Sequence, residues 1–188
     1  MKSVFIGGSR KLARLNEQIR GKLAEITERK LHVVVGDANG ADRAVQAQLR
    51  AWGYENVTVY FVGGSPRNNE GAWPIERIAP PTSARGAEYY GAKDIVMARA
   101  AEAGLMIWDG ESKGTLANVK NLVRENKPVA VYLSKQRRFR NVLTEAELHD
   151  LTTTQRPAST EVHADAQSEL PLDVPARGPT RKRRRRAV

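Results

Sequence analysis

Short all-apolar runs alternate along this chain with longer stretches in which apolar residues return every three or four positions. Ser3-Val4-Phe5-Ile6 opens the series as a buried strand and stops at Gly7-Gly8-Ser9-Arg10. Leu12, Leu15, Ile19, Leu23 and Ile26 then recur at helical spacing, which predicts a helix from about Ala13 to Arg29. Leu31 to Val35 reads as a second strand. Ala41 to Trp52 reads as a second helix, with Ala44, Val45, Leu49 and Trp52 apolar and Gly53 as its stop. A third strand spans Val57 to Val62. Beyond Arg85 follow a helix from about Gly86 to Ala103, a strand at Leu105–Trp108, a helix from near Leu116 to about Glu125, and a strand from Val129 to Leu133.

Strands that alternate with helices, and are apolar throughout, predict a parallel sheet covered on both faces. The expected fold class is α/β: a doubly wound, mainly parallel five-stranded sheet within residues 1–135. Right-handed crossovers gather every strand-to-helix loop at one edge of such a sheet. From Gly63 to Arg85 the pattern dissolves, and Pro66, Pro74, Pro80 and Pro81 exclude a regular helix. A connection of that length is either a lid or binding loop, or a surface insertion. Residues 136–151 allow one short helix, basic then acidic. From 152 to 188, Thr, Ser, Pro, Gln and charge dominate, so a disordered tail is expected.

Three of the loops at the shared edge carry glycine and polar residues. Asp109-Gly110-Glu111-Ser112-Lys113-Gly114-Thr115 leads from an apolar strand straight into a helix. Amides at a helix start lack intrahelical partners and carry the positive end of the helix dipole, so phosphate binds there readily. Gly110 and Gly114 let the chain approach a ligand closely, Ser112 and Thr115 add hydroxyls, and Lys113 adds a mobile charge. Asp109, at the strand end, is expected to accept from a ribose or base, or to hold Lys113. In Gly7-Gly8-Ser9-Arg10, Ser9 can donate to phosphate and Arg10 can grip it with two parallel N–H bonds. The spacing is not G-x-G-x-x-G, and a plain turn with a surface arginine is the simpler alternative. In Gly36-Asp37-Ala38-Asn39-Gly40-Ala41-Asp42-Arg43, Asp37 or Asn39 suits a helix cap and Asp42 suits the first turn. Arg43 is unfavourable there, which points to a neighbouring anion. Glu88, Asp94 and Arg99 lie on the helix before Leu105, and Glu88-Tyr89-Tyr90 near its start read as a solvated face or, alternatively, as facing the cleft.

Composition narrows the classes. The chain has 188 residues and no cysteine, which excludes disulfides and thiolate ligands and fits a reducing cytoplasm. His32, His149 and His163 are scattered, so no metal and no cofactor is expected. The apolar runs are too short to span a membrane and no signal-peptide pattern opens the sequence. The net charge is +10, of which Arg181-Lys182-Arg183-Arg184-Arg185-Arg186 supplies six positive charges. That run is either a salt-sensitive, non-specific nucleic-acid contact or simply a solvated end.

Taken together, V-F-I-G-G-S-R, V-V-V-G-D-A-N-G-A-D-R-A, K-D-I-V-M-A-R and W-D-G-E-S-K-G-T resemble the SLOG superfamily over about residues 2–134. This is the group of Rossmann-like domains shared by the DNA-processing protein DprA and the cytokinin-activating LOG enzymes, and the strings are most similar to its YspA-like branch. The resemblance implies a Rossmann-like sheet binding a nucleotide or nucleotide-derived ligand, as a sensor or module in a nucleotide-based stress or defence pathway. Two alternatives accompany it: a nucleotide N-glycosidase, and a DNA-binding module related to DprA. In the LOG enzymes a P-G-G-x-G-T-x-x-E loop binds phosphate and supplies a glutamate, assisted by a helix arginine. Here Gly114-Thr115 match the G-T pair, Asn118 stands at the glutamate position, and Arg99 loosely matches the arginine. Asp109 and Arg99 are thus the catalytic candidates, and domains of this kind often form homo-oligomers.

Overall fold

The computed structural model describes residues 2–153. Its elements are β1 (Ser3–Gly8), α1 (Glu17–Glu28), β2 (His32–Gly36), α2 (Ala41–Ala51), β3 (Val57–Phe61), β4 (Ile75–Arg77), α3 (Gly86–Ala100), β5 (Ala103–Trp108), α4 (Lys113–Arg124), β6 (Val129–Leu133), β7 (Arg138–Val142) and α5 (Glu145–Thr153). One sheet runs in the order β4-β3-β2-β1-β5-β6-β7. Every pairing is parallel except β6 with β7. The chain lays strands outward from β1 on one side, then returns to place β5 on the other. That reversal makes a switch point at the carboxyl ends of β1 and β5, where open α/β sheets take ligands.

The Rossmann-like α/β class holds, and the alternation of residues along each strand explains its layers. Val4 and Ile6 pack with Ile19 and Leu23 of α1 and Val45 and Leu49 of α2. Phe5, between them, points to the opposite face with Met97 of α3 and Val119 and Leu122 of α4.

The sheet has seven strands, not the expected five. β4 is three residues long and exposed throughout, so it carries no apolar run to detect. β7 pairs antiparallel at the other edge and buries only Val142, which leaves Arg138, Phe139, Arg140, Asn141 and Val142 without a strand's apolar signature. Residues 136–151 are therefore not one helix but a turn with Arg137 at φ 51°, then β7, then α5. α1 starts at Glu17, later than expected, because Asn16 caps it by accepting from the Ile19 amide at 3.0 Å.

The long interval is pinned to the domain rather than loose. Asn69 accepts from the Trp73 amide (3.0 Å) and donates to its carbonyl (2.8 Å), closing a tight turn. The buried Trp73 donates through Nε1 to the Tyr54 carbonyl at 3.0 Å, and β4 follows at once. Among the described residues no helix is long and apolar enough to cross a membrane. Thr152 and Thr153 belong to α5. The rest of the expected disordered tail, with the 181–186 basic run, lies outside the described residues.

Candidate functional site

Ser9 ties the three edge loops together. Its carbonyl accepts from the Ala41 amide (3.3 Å), and its own amide donates to the Ile107 carbonyl (2.9 Å). Its hydroxyl accepts from the Asp109 amide at 3.1 Å and lies 3.3 Å from Thr115 Oγ1. Glycine permits this approach. A Cβ on Gly8 would stand 2.5 Å from the Ile107 oxygen and 2.7 Å from Ala41 Cβ, and one on Gly40 would overlap the Arg10 carbonyl. Ser9 is fully buried, so it joins loops instead of donating to a ligand as expected. Gly7 lies within β1, where a Cβ would meet the Phe5 ring at 3.2 Å, away from the cleft.

The joined loops and α3 enclose a cleft of about 630 Å³ at the switch point. Gly8, Arg10 and Lys11 form one wall, Ala38 and Asp42 another, and the 109–115 loop a third. α3 supplies the fourth with Glu88, Tyr90, Lys93 and Asp94, so of the two readings of its start the cleft wall holds rather than the solvated face.

Within the third loop, Asp109 Oδ1 accepts from the amides of Glu111 (2.9 Å) and Ser112 (2.7 Å). Ser112 Oγ then caps α4 by accepting from the Thr115 amide (3.2 Å), and Gly110 makes the turn at φ 83°. The chain's own carboxylate thus occupies amides that were expected to meet phosphate, and its Oδ1 is committed to the loop rather than to a sugar or base. Burial pushes the Asp109 carboxyl up, but bonds from Ser112 and Glu111, with Ser9 and the charge of Lys11, hold it below the ordinary range. Asp109→Ala strands two amides and should lower stability by about 1–2 kcal/mol, read as a fall in thermal midpoint by circular dichroism. Beside this loop Gly114 stays open, with nothing within 4 Å of where its Cβ would stand. Exposed Arg10 and Lys113 have no carboxylate partner among the described residues.

The second loop holds buried charge. Asp37 receives Arg67 through Nε (2.8 Å), Nη2 (2.7 Å) and the backbone amide (3.1 Å). Burial pushes the Asp37 carboxyl up, yet Arg67 wins and holds it below the usual range. Asn39 accepts from Asn68 at 3.0 Å, so neither Asp37 nor Asn39 caps α2, whose N-cap is Gly40. Asp42 is buried and takes the Ala38 amide at 3.2 Å. Burial pushes its carboxyl up to about 6; the charge of Lys93 opposes this, and Asp94 and Asp37 add to it. Lys93, also buried, donates to Asp94 at 2.8 Å. Burial works against its charge, but Asp94 and Asp42 outweigh burial and raise its pKa. A Cβ on Gly36 would sit 2.5 Å from Asp42 Oδ2 and 2.9 Å from Lys93 Nζ, so this glycine makes room for the pair.

Two expectations fail on placement. The anion beside Arg43 is the chain's own Glu70, 2.8 Å from Nε, and Arg43 does not line the cleft. Arg99 lies at the carboxyl end of α3, at the opposite edge of the sheet, 3.5 Å from Glu125. Asn118 is at the cleft, and the acceptors around it, Asp94 Oδ2 at 3.2 Å and the Gly114 carbonyl at 3.3 Å, assign its amide nitrogen to that side. Arg67 and Lys11 line the site with no sequence motif to mark them, and Lys93 opens the K-D-I-V-M-A-R string without a role being legible there. Arg67 sits in the proline-bearing interval.

No known family profile matches the chain, and no curated protein sequence does. Among solved structures, its fold is similar to that of DNA processing protein A (DprA) from Helicobacter pylori, a structure reported for its single-stranded DNA binding mode. The TM-score is 0.52 at 17% identity, covering 69% of this chain and 64% of that one. The fold is DprA-like. This chain spans less than two thirds of the DprA chain's length, and the likeness concerns the sheet and its helices.

Proposed function

We propose that the switch-point cleft binds single-stranded DNA, taking backbone phosphates on Arg10, Lys11 and Lys113 around the open Gly114 turn. The observation that carries this reading is the meeting of the three loops at the sheet's reversal, with Arg10 and Lys113 exposed and without a carboxylate partner among the described residues. Phosphate contacts dominate affinity for nucleic acid. The DprA-like fold favours DNA over a small molecule. Lys11 contributes less, because Glu111 holds it at 3.0 Å while also holding Lys135 at 2.8 Å.

Fluorescence anisotropy with a labelled thymidine oligonucleotide tests the proposal. The Arg10→Ala, Lys113→Ala double variant should lose at least about tenfold in affinity, and its salt slope should shrink by about 1.4. Deleting Thr180–Val188 should lower the salt slope further while binding persists. Unchanged affinity in the double variant, or loss of all binding with the deletion, refutes the assignment to the cleft.

A second reading is favoured by cleft size. The volume of 630 Å³ falls among small-molecule sites, which span roughly 300–1,000 Å³. A free nucleotide held there would make the chain a SLOG-type sensor of the YspA-like branch, and calorimetry against mono-, di- and cyclic nucleotides tests that. N-glycosidic cleavage gains no support from the site, since the amide of Asn118 is neither a base nor a nucleophile.

A further inference from the structure

We propose that the α3 wall of the cleft is a stacking platform for an unpaired nucleobase, centred on Tyr90 and extended by Ile95. This rests on the reading of the cleft as a nucleic-acid or nucleotide site and names the part of the ligand that α3 receives.

Two independent observations carry it. The first is apolar exposure in the wrong place for a phosphate. Tyr90 and Ile95 are 42% and 45% exposed, and both line the cleft. Ala87 and Gly91 complete the same helical stripe, and a Cβ on Gly91 would meet nothing within 4 Å. A bare anion gains nothing from such a surface, whereas a flat apolar ring does.

The second is that the tyrosine is held in advance. The Arg67 guanidinium lies over its ring, 5.1 Å from the centroid. Arg67 is itself fixed by two bonds to buried Asp37, at 2.7 and 2.8 Å. The Tyr89 ring stands 5.2 Å away at 84°. Both neighbours hold the Tyr90 ring, which stays 42% exposed and lines the cleft. A ring ordered before binding stacks without losing rotamer freedom. Stacking tolerates any base, because every base has a π-face. A base inside a duplex has both faces covered by its neighbours, so the platform selects single strands.

The test uses the full chain and fluorescence anisotropy with three probes of equal length: a thymidine oligonucleotide, an abasic oligonucleotide and a duplex. The wild-type protein should bind the thymidine strand about tenfold more tightly than the abasic one, and more tightly than the duplex. Tyr90→Ala should abolish that preference while leaving abasic binding unchanged, and Tyr90→Phe should keep it. Thymidine monophosphate, but not deoxyribose phosphate, should displace the strand if the platform also accepts free nucleotides; failure of both to compete restricts it to bases within a strand. Equal wild-type affinity for thymidine and abasic strands overturns the platform and leaves the phosphate reading standing. Binding of neither strand overturns both.

Discussion

Lys93→Met should destabilise the protein by about 3–5 kcal/mol at neutral pH, and by clearly less at pH 5. Lys93 is buried between Asp94 at 2.8 Å and Asp42, and no solvent can replace its charge. Removing one partner of a buried ionic group leaves the other uncompensated, which costs more than the group contributes when intact. For a chain of this size each kcal/mol moves the thermal midpoint by about 2–4 °C, so the loss is roughly 6–20 °C. The pH dependence follows from Asp42, whose carboxyl sits at about 6 in the folded protein against a reference value of 3.8. A folded value above the unfolded one means that the native state binds the proton more tightly. Asp42's contribution is then fully present below about pH 4 and lost as pH rises through about 6. Without Lys93, whose charge opposes the upward shift, the carboxyl rises further and is neutral at pH 5. Thermal unfolding of both proteins at pH 5 and 7.5 checks this, with Asp42→Asn, in which that slope should vanish, as the reference. A defect of equal size at both pH values would show that Asp42 is not the group left stranded.

The sequence made the centre of the sheet legible because parallel strands buried on both faces must be apolar at every position, as in β5 and β6. It hid β4 and β7 because edge strands bury few side chains, none in β4 and only Val142 in β7. The edge loops were legible for a similar reason, since glycine and polar residues interrupt apolar runs there. Their side-chain roles were not, because those depend on partners far along the chain. Asp37 looks like a cap until Arg67, 30 residues on, is seen to take it. Arg43 looks like an anion site until Glu70 arrives. Glycine was the most misleading signal: the loop glycines read as room for a ligand, yet Gly8, Gly36 and Gly40 leave room for other parts of the protein, while Gly114 has open space beside it.

Gly40→Ala should therefore act on the architecture of the cleft before it acts on any ligand, with a loss above about 3 kcal/mol. The residue has φ 82° and ψ −125°, a region costly for any side chain, and its Cβ would overlap the Arg10 backbone. Backbone strain of this kind costs about 1–3 kcal/mol alone, and the overlap has no flexible side chain to yield. Relief requires the Gly8–Arg10 turn to move away from α2, which breaks the Ala41-to-Ser9 bond and shifts Arg10 out of the cleft. Gly21→Ala is the matched comparison, because Gly21 lies on the exposed face of α1 with nothing within 4 Å of its missing Cβ. That substitution should stabilise by about 0.5–1 kcal/mol through helix propensity. Urea unfolding of the two variants should thus move in opposite directions, and the folded fraction of Gly40→Ala should bind thymidine oligonucleotide more weakly than wild type. If Gly40→Ala unfolds like the wild type, the contact between the first and second loops is not what holds the cleft together.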